Sequence, residues 1–462
     1  MKRSRYFLAG FCVLLLGAGL IACTSNSSSN QTTTPPPASD AGIALYGGDA
    51  PLANVLTFQL TLTGLTASDG VNTTTLLSTP QTVDFARLTG LRTLLDLNSA
   101  PPGSYTSITL TIANPVIGYI DIANGNPPAI TMLNGTLTTS SITVLMNPPL
   151  VLTSDDLNGL HVDFDVRQSL QVDLNGQITG TVVPTFDIHQ VNPANAEAEI
   201  DELRGGVVST DITNNSFVMQ IPNGKMITVQ IGASTMTDSG DDLSTFTSNT
   251  IVQVSGLLNR TSMVLDADEV SVLSQDHFAA EGLITYVQAP TAQGTPFDLF
   301  VRDALPANPA FPPDTISSFD VTSSAKFLIC HLNLPITQLL FNSSSLITGQ
   351  SVTVGGSLAN NSVTVKRVVL HRQGVYGPWV TGSTMIQNGN TGSFQINEKG
   401  IVGVFLNGPL TVLTSNATEF DGLSGLSALT GTQAIPLHVV GLLLQDPATG
   451  GAVLVANRVY TP

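Results

Sequence analysis

From Ala41 onward, apolar residues alternate with Thr, Ser and other polar residues at a period of two. Leu56-Thr57-Phe58-Gln59-Leu60-Thr61-Leu62 is one such run. Tyr105-Thr106-Ser107-Ile108-Thr109-Leu110-Thr111-Ile112 is another, and Leu160-His161-Val162-Asp163-Phe164-Asp165-Val166 a third. Successive strand side chains point to opposite faces, so this spacing buries one face and wets the other. β-Branched residues fill the runs, and Asp69-Gly70, Asn124-Gly125 and Asn175-Gly176 break them as turns. Helical spacing is seen at Phe85, Leu88, Leu91 and Leu95, which predicts one or two turns over residues 84–95. The pattern predicts an all-β chain. An N-terminal antiparallel β-sandwich over residues 41–192 is followed by three tandem small β-barrel-like units.

The three units follow from an internal repeat. Residues 203–275 carry Gly205-Gly206-Val207-Val208, Phe217-Val218-Met219-Gln220-Ile221, Val252-Gln253-Val254-Ser255-Gly256 and Ala267-Asp268-Glu269-Val270. Residues 279–371 repeat the order with Glu281-Gly282-Leu283-Ile284, Phe297-Asp298-Leu299-Phe300-Val301, Val352-Thr353-Val354-Gly355-Gly356 and Val365-Lys366-Arg367-Val368. Residues 377–462 do so with Val380-Thr381-Gly382-Ser383, Gly392-Ser393-Phe394-Gln395-Ile396, Leu437-His438-Val439-Val440-Gly441 and Ala456-Asn457-Arg458-Val459. A Gly inside a strand marks a bulge or sharp bend, which barrel corners need. Tandem copies predict beads along a rod. The second copy holds a Pro-rich stretch from Ala304 to Pro313. It reads as a solvated loop kept out of any sheet, with a partner-binding loop as the alternative.

The N-terminus reads as an export address. Lys2, Arg3 and Arg5 precede an uncharged apolar run from Tyr6 to Leu20, then Ile21-Ala22-Cys23. Leu20-Ile21-Ala22-Cys23 resembles the signal of bacterial lipoproteins. That resemblance implies removal of residues 1–22 and acylation of Cys23, with the membrane as a partner through acyl chains. Residues 23–40 are a Ser/Thr/Asn tract ending in prolines, the composition of an extended tether. Position 24 is Thr rather than Asp, so an outer membrane or the cell surface is the expected site.

Charge supports the address. Charged residues are 11% of the chain and the net charge is −17, against about 25% charged in an average soluble protein. Without residues 1–22, 13 basic residues face 33 acidic ones, a net −20. Such a chain repels nucleic acid. Thr, Ser and Asn on strand faces would keep its surface wet without ion pairs. Cys330 is the remaining thiol and lies in an apolar run, so it reads as a buried structural Cys.

One constellation suggests chemistry. His161, Asp163 and Asp165 share one face of a strand, and Asp187 and His189 share a face of another. Were these strands neighbours, two His and three Asp would converge on a metal or a polar substrate. The plainer reading is a solvated sheet face. Asp238-Ser239-Gly240-Asp241-Asp242 and Asp155-Asp156 crowd carboxylates of the type Ca²⁺ takes, without EF-hand spacing. The plainer reading of each is a solvated turn. Trp379 is expected at a seam between units, or stacked on a sugar. G-x-S-x-G, H-E-x-x-H, the phosphate-binding G-x-x-x-x-G-K-[ST] and C-x-x-C do not occur.

Further residues carry a family likeness: Asp49-Ala50-Pro51, Gly103-Ser104-Tyr105 with Ile108 and Leu110, Asp163-Phe164-Asp165 with Ser169, and Val183-Pro184. Through these, residues 41–190 resemble an uncharacterised family of bacterial lipoprotein β-domains, a domain-of-unknown-function family. The three later units are similar to a second uncharacterised family, small β-barrel repeats found in tandem on exported bacterial proteins. Neither resemblance implies an active site or a cofactor. The expectation is a non-catalytic, lipid-anchored envelope protein with a structural, adhesive or ligand-binding role. An envelope protein or a glycan is the expected partner. The alternatives are a carbohydrate- or calcium-dependent binding module, and a hydrolase acting near His161, Asp163 and Asp165.

Overall fold

The computed structural model describes residues 40–461 apart from 51–53, 122–128, 155, 175–176, 196–197, 239–240, 277, 293, 330–338, 360–361 and 407. The signal, Cys23, the tether and Cys330 lie outside the described residues. The described chain is almost entirely strand. Among the described residues no helix is long and apolar enough to cross a membrane.

The N-terminal domain contains β1 (Ala41–Ala50), β2 (Val55–Ser68), β3 (Thr73–Thr75), β4 (Gln81–Asp84), β5 (Thr93–Ala100), β6 (Gly103–Asp121) and β7 (Ala129–Asn134). It continues with β8 (Thr136–Leu137), β9 (Ser141–Leu152), β10 (Leu157–Asp165), β11 (Leu170–Val172), β12 (Ile178–Val182) and β13 (Phe186–Val191). One sheet runs β13-β10-β1-β5 and a second β3-β2-β6-β7, with β4 on β2 and β9 on β6. Between them lies a core in which Phe58 stacks on Phe164 at 4.9 Å, backed by Phe85, Ile108 and Leu110. Most pairs are antiparallel as expected, but β1 runs parallel to β10. The predicted helix is a single 3-10 turn at Phe85–Leu88, and Leu95 sits instead in β5.

The first barrel is β14 (Ile200–Asp211), β15 (Ser216–Gln220), β16 (Met226–Thr237), β17 (Ile251–Leu258) and β18 (Leu265–Ser274), closed in the order β14-β15-β16-β18-β17. The second unit has β19 (Phe278–Val287), β20 (Thr295–Leu305), β21 (Thr315–Val321), β22 (Lys326–Ile329), β23 (Ser351–Ala359) and β24 (Ser362–Leu370), in the order β21-β20-β19-β23-β24-β22. The third has β25 (Gln373–Pro378), β26 (Met385–Asn388), β27 (Thr391–Ile396), β28 (Leu410–Thr414), β29 (Glu419–Asp421), β30 (Pro436–Gln445) and β31 (Ala452–Tyr460). Its order is β25-β30-β31-β28-β27-β26, with β29 on β31. Its first strand is Gln373–Pro378, ahead of the expected start, and Val380–Ser383 is a turn.

The three units share part of a pairing scheme. The opening strand pairs with the penultimate one in each, and in the first two units also with the strand that follows it. The last strand runs parallel to an internal one, as β18 to β16, β24 to β22 and β31 to β28. In the third unit a Trp379–Ile396 bridge joins the end of β25 to β27. The closed order of the first unit is that of a five-stranded Greek-key barrel, whereas the second and third units are open sheets of six and seven strands. The glycine of each V-x-V-x-G-type strand marks the same corner. Pairing register shifts at Gly256, Gly356 and Gly441. A Cβ there would sit 2.2, 2.1 and 2.2 Å from a carbonyl oxygen of the next strand. Only a residue without Cβ lets the two backbones meet at that bulge.

The units do not form beads on a rod. Residues 38–462 make one compact body, and neighbouring units share walls. Ile43, Leu45, Val162 and Phe164 of the sheet β13-β10-β1-β5 face the sandwich core. Ala44, Tyr46, Leu94 and Val191 of that sheet pack into the core of the first barrel. Similarly, Val439, Leu443 and Leu454 of β30 and β31 fill the third core, whereas Leu442, Leu444, Val453 and Val455 complete the second. A signal for this was present. Ala41-Gly42-Ile43-Ala44-Leu45-Tyr46 and Val439-Val440-Gly441-Leu442-Leu443-Leu444 are continuous apolar runs, which mark strands buried on both faces.

The Pro-rich stretch is anchored rather than solvated along its length. Phe311 stacks between Phe278 and Phe319 at 4.8 and 5.4 Å. Trp379 lies in the third unit's own core, with Nε1 donating to Thr384 Oγ1 at 3.1 Å. It neither fills a seam nor presents a face to a sugar.

Candidate functional site

The strands carrying the suspected constellation are neighbours. β10 and β13 pair antiparallel, with His161 opposite His189 and Asp163 opposite Asp187. The His rings lie 5.1 Å apart. Gly48 of β1 is the register partner of Asp163, and a Cβ on it would come within 3.0 Å of Asp163 Oδ1 and His161 Nε2. The missing side chain therefore makes room for both.

The five residues nevertheless divide into different tasks. Asp165 leaves the group to cap the short helix α1 (Val166–Ser169), accepting from Gln168 N at 2.8 Å. Asp187 accepts or shares a proton with His189 Nδ1 at 2.9 Å, and both are well exposed. His161 is buried, and neither ring nitrogen makes a hydrogen bond. Burial, then the neighbouring His189, holds its pKa down to about 3, so it is neutral. Burial, then the charges of Asp187 and Asp165, pushes Asp163 up to about 6. Among the described residues no group of three His, Cys, Asp or Glu is placed to hold a metal ion. The face is solvated in part, at Asp187 and His189, while His161 is withdrawn from water and Asp163 is half-buried.

The loop carboxylates likewise serve seams. Asp241 pairs at 2.9 Å with both Arg367 and Lys326 of the second unit. Asp156 binds the Arg260 guanidinium of the first barrel. Asp242 remains exposed, and Asp155, Ser239 and Gly240 lie outside the described residues.

Sequence reading did not find the most elaborate polar assembly. It lies where the sandwich and all three later units meet. Arg204 of β14 lies 2.8 Å from Glu281 of β19, and Arg87 of the sandwich approaches the same carboxylate at 3.6 Å. Arg302 of β20 donates to the Leu56 carbonyl at 2.8 Å and faces Asp84 at 3.9 Å. Asp201 gathers Arg372 at 3.2 Å, Arg458 at 4.0 Å and the Arg92 amide at 3.0 Å. Ten of the thirteen basic residues beyond position 22 form ion pairs among the described residues, and most of these pairs link different units. The scarce basic charge thus lies at joints, while Asp69, Asp211 and Asp242 remain on the wet surface.

Burial sets the chemistry of this junction. It pushes Glu202 up to about 7, with Arg204 and Arg372 opposing. Burial also pushes Glu281 up, but Arg204 and Arg87 outweigh it and hold the carboxyl below the usual range. Above the pairs is a cavity of about 350 Å³ between the sandwich and the first two barrels. Its floor includes Arg87, Arg204, Arg302, Asp84, Glu202 and Asp303.

Comparison with known proteins adds a family for one part of the chain. Residues 41–179 match the family model described as Domain of unknown function (DUF4382). The match takes in His161, Asp163 and Asp165 and stops before Asp187 and His189. No curated protein matches the chain. A solved structure titled drosophila Unr CSD456 aligns at 10% identity over 56% of this chain and 97% of that one, with a TM-score of 0.14. A superposition that weak places no part of the molecule.

Proposed function

We propose that the chain is an exported, lipid-anchored envelope protein acting as a non-catalytic structural and ligand-binding block. Its three later units are read as copies of one barrel module. The observation that carries the reading is the use of ionisable side chains. Asp156, Asp201, Asp241 and Glu281 are each engaged by Arg or Lys across a seam. Carboxylates committed in this way are poor acids, bases or nucleophiles. Asp165 is taken up by a helix cap, which weakens the hydrolase alternative further.

The lipid anchor follows from Leu20-Ile21-Ala22-Cys23 and the polar tether. A net negative block is repelled by anionic headgroups, so acyl chains on Cys23 would supply the attachment. An envelope protein or glycan is the proposed partner. Cell fractionation of Cys23→Ala tests the anchor. The variant is expected in the soluble fraction, and retention of the full wild-type amount on the membrane rejects it.

A further inference from the structure

We infer that the end of the sandwich at which β1 begins is a membrane-facing surface, lying against zwitterionic lipid headgroups while the second and third units project away. The inference rests on the lipid anchor proposed above and adds which face that anchor brings to the bilayer.

Strand direction gives the sandwich two ends. β1 enters at Ala41, opposite Ala100 at the end of β5, and Gly42 lies opposite Leu157, the first residue of β10. At this same end, Gly103 at the start of β6 pairs with Leu152 at the end of β9, and Ser68 at the end of β2 pairs with Ser107. The turn between β17 and β18 of the first barrel joins them. The Arg260 carbonyl accepts from the Leu157 amide at 3.0 Å, and a Cβ on Gly42 would lie 3.5 Å from Met263 Sδ. The later units pack at the other end. Arg302 of the second unit donates to the carbonyl of Leu56, near the start of β2, at 2.8 Å. Arg458 of the third donates to the Gly90 carbonyl, ahead of β5, at 2.9 Å. Tyr376 of the third accepts from Arg167, just after β10, at 3.1 Å.

Sixteen uncharged residues separate Cys23 from Asp40. A polar linker of that length spans roughly 20–24 Å on average. The far end of the sandwich stands a further length of β1 away, ten residues at about 3.3 Å each. Acyl chains on Cys23 therefore hold the Ala41 end beside the bilayer. Tethering at such a distance gives an effective concentration of about millimolar, at which shallow contacts suffice. This end supplies them. Val71, in the turn after β2, is 90% exposed, Val151 48% and Met263 44%. Exposed Ser104, Thr106, Thr153, Thr261 and Ser262 surround them. Aliphatic side chains among uncharged hydroxyls enter a headgroup layer without stripping water from a charge. Asp40, Asp69, Asp156 and Asp266 outnumber Arg260 here, so the surface suits zwitterionic rather than anionic lipid.

The test is hydroxyl-radical footprinting of the mature, lipidated chain on phosphatidylcholine vesicles, read by mass spectrometry at two native methionines. Met263 stands at the inferred surface, and Met385 is 67% exposed in the third unit. The reference is the Cys23→Ala chain mixed with the same vesicles. Oxidation of Met263 should slow by about threefold or more once its side chain sits in the headgroup layer, while Met385 keeps the reference rate. Val71→Asp, at an exposed turn, should return Met263 toward the reference rate while the chain stays on the vesicles. An anchored chain whose Met263 oxidises at the reference rate overturns the inference and leaves the anchor standing. Protection of Met385 in place of Met263 does the same. Met263 protection indifferent to Val71→Asp also overturns it, the tether alone then shielding that end. A chain that does not float with the vesicles removes the anchor and this inference together.

Discussion

Arg204 of the first barrel lies 2.8 Å from Glu281 of the second, and both side chains are almost wholly withdrawn from water. The pair ties together units whose strands belong to different sheets. Burying two charges is costly, and the cost is offset only while both are present. Glu281→Ala should therefore destabilise the chain by about 3–5 kcal/mol in denaturant unfolding. Arg204→Met combined with Glu281→Leu should recover much of that loss. A single variant within about 0.5 kcal/mol of wild type would show that the junction carries little of the stability.

The buried carboxyls should contribute less stability as pH rises from mildly acidic to neutral, whereas the buried His161 and His438, held down to about 3 and about 4, contribute in the opposite sense over the same range. Glu202 is pushed up to about 7 from an ordinary 4.5. Asp163 and Asp238 are pushed up to about 6 from 3.8, burial leading in each case. Between those values the folded state holds protons that the unfolded chain has released, so each pH increment favours unfolding. Glu281 acts in the opposite sense, but its contribution is lost only as pH falls from its ordinary 4.5 toward its lower folded value, below the range compared. Thermal melts of wild type and Glu202→Gln at pH 5 and pH 7.5 isolate the Glu202 share of this balance. Glu202→Gln should raise the Tm at pH 7.5 relative to that at pH 5, and an unchanged difference removes Glu202 from the account.

The shared wall makes a distinct prediction. Leu442 of β30 is fully buried, yet it belongs to the core of the second unit rather than its own. Leu442→Ala should cost about 2–5 kcal/mol. Hydrogen exchange should then quicken in the second unit, at β19 and β23, as well as in the third. Quickening confined to β25–β31 would mean that the units unfold independently.

The exposed joint should behave otherwise. Arg260 and Asp156 pair with side chains 42% and 31% exposed. Surface pairs contribute about 0–1 kcal/mol and are screened by salt. Asp156→Ala should shift stability by less than about 1 kcal/mol, and added salt should erase the shift. A larger, salt-resistant loss would show that this contact is a main joint.

Much of the fold was legible because strand formation is a local matter. The runs at Leu56, Tyr105 and Leu160 became β2, β6 and β10. The V-x-V-x-G glycines fell at three equivalent bulges, because a Cβ there would come within about 2.2 Å of a carbonyl oxygen on the next strand. Period-two spacing also put His161 and Asp163 on one face and Val162 and Phe164 on the other. What covers that face was not legible. The sequence around His161 is the same whether water or another unit lies against it.

The sequence by itself determined the all-β class, the order of strands, the repeat of a glycine corner and a chain poor in charge. Each depends on residues close together along the chain or on composition. Only the tertiary structure decided that the four units form one body and that the few arginines lie between them. Arg204 and Glu281 are 77 positions apart, as are Asp201 and Arg458 by more than three times that distance, and nothing local signals either pairing. An isolated Arg in a strand reads as a solvated residue. It becomes a joint only when another sheet excludes the water around it and brings a carboxylate into reach.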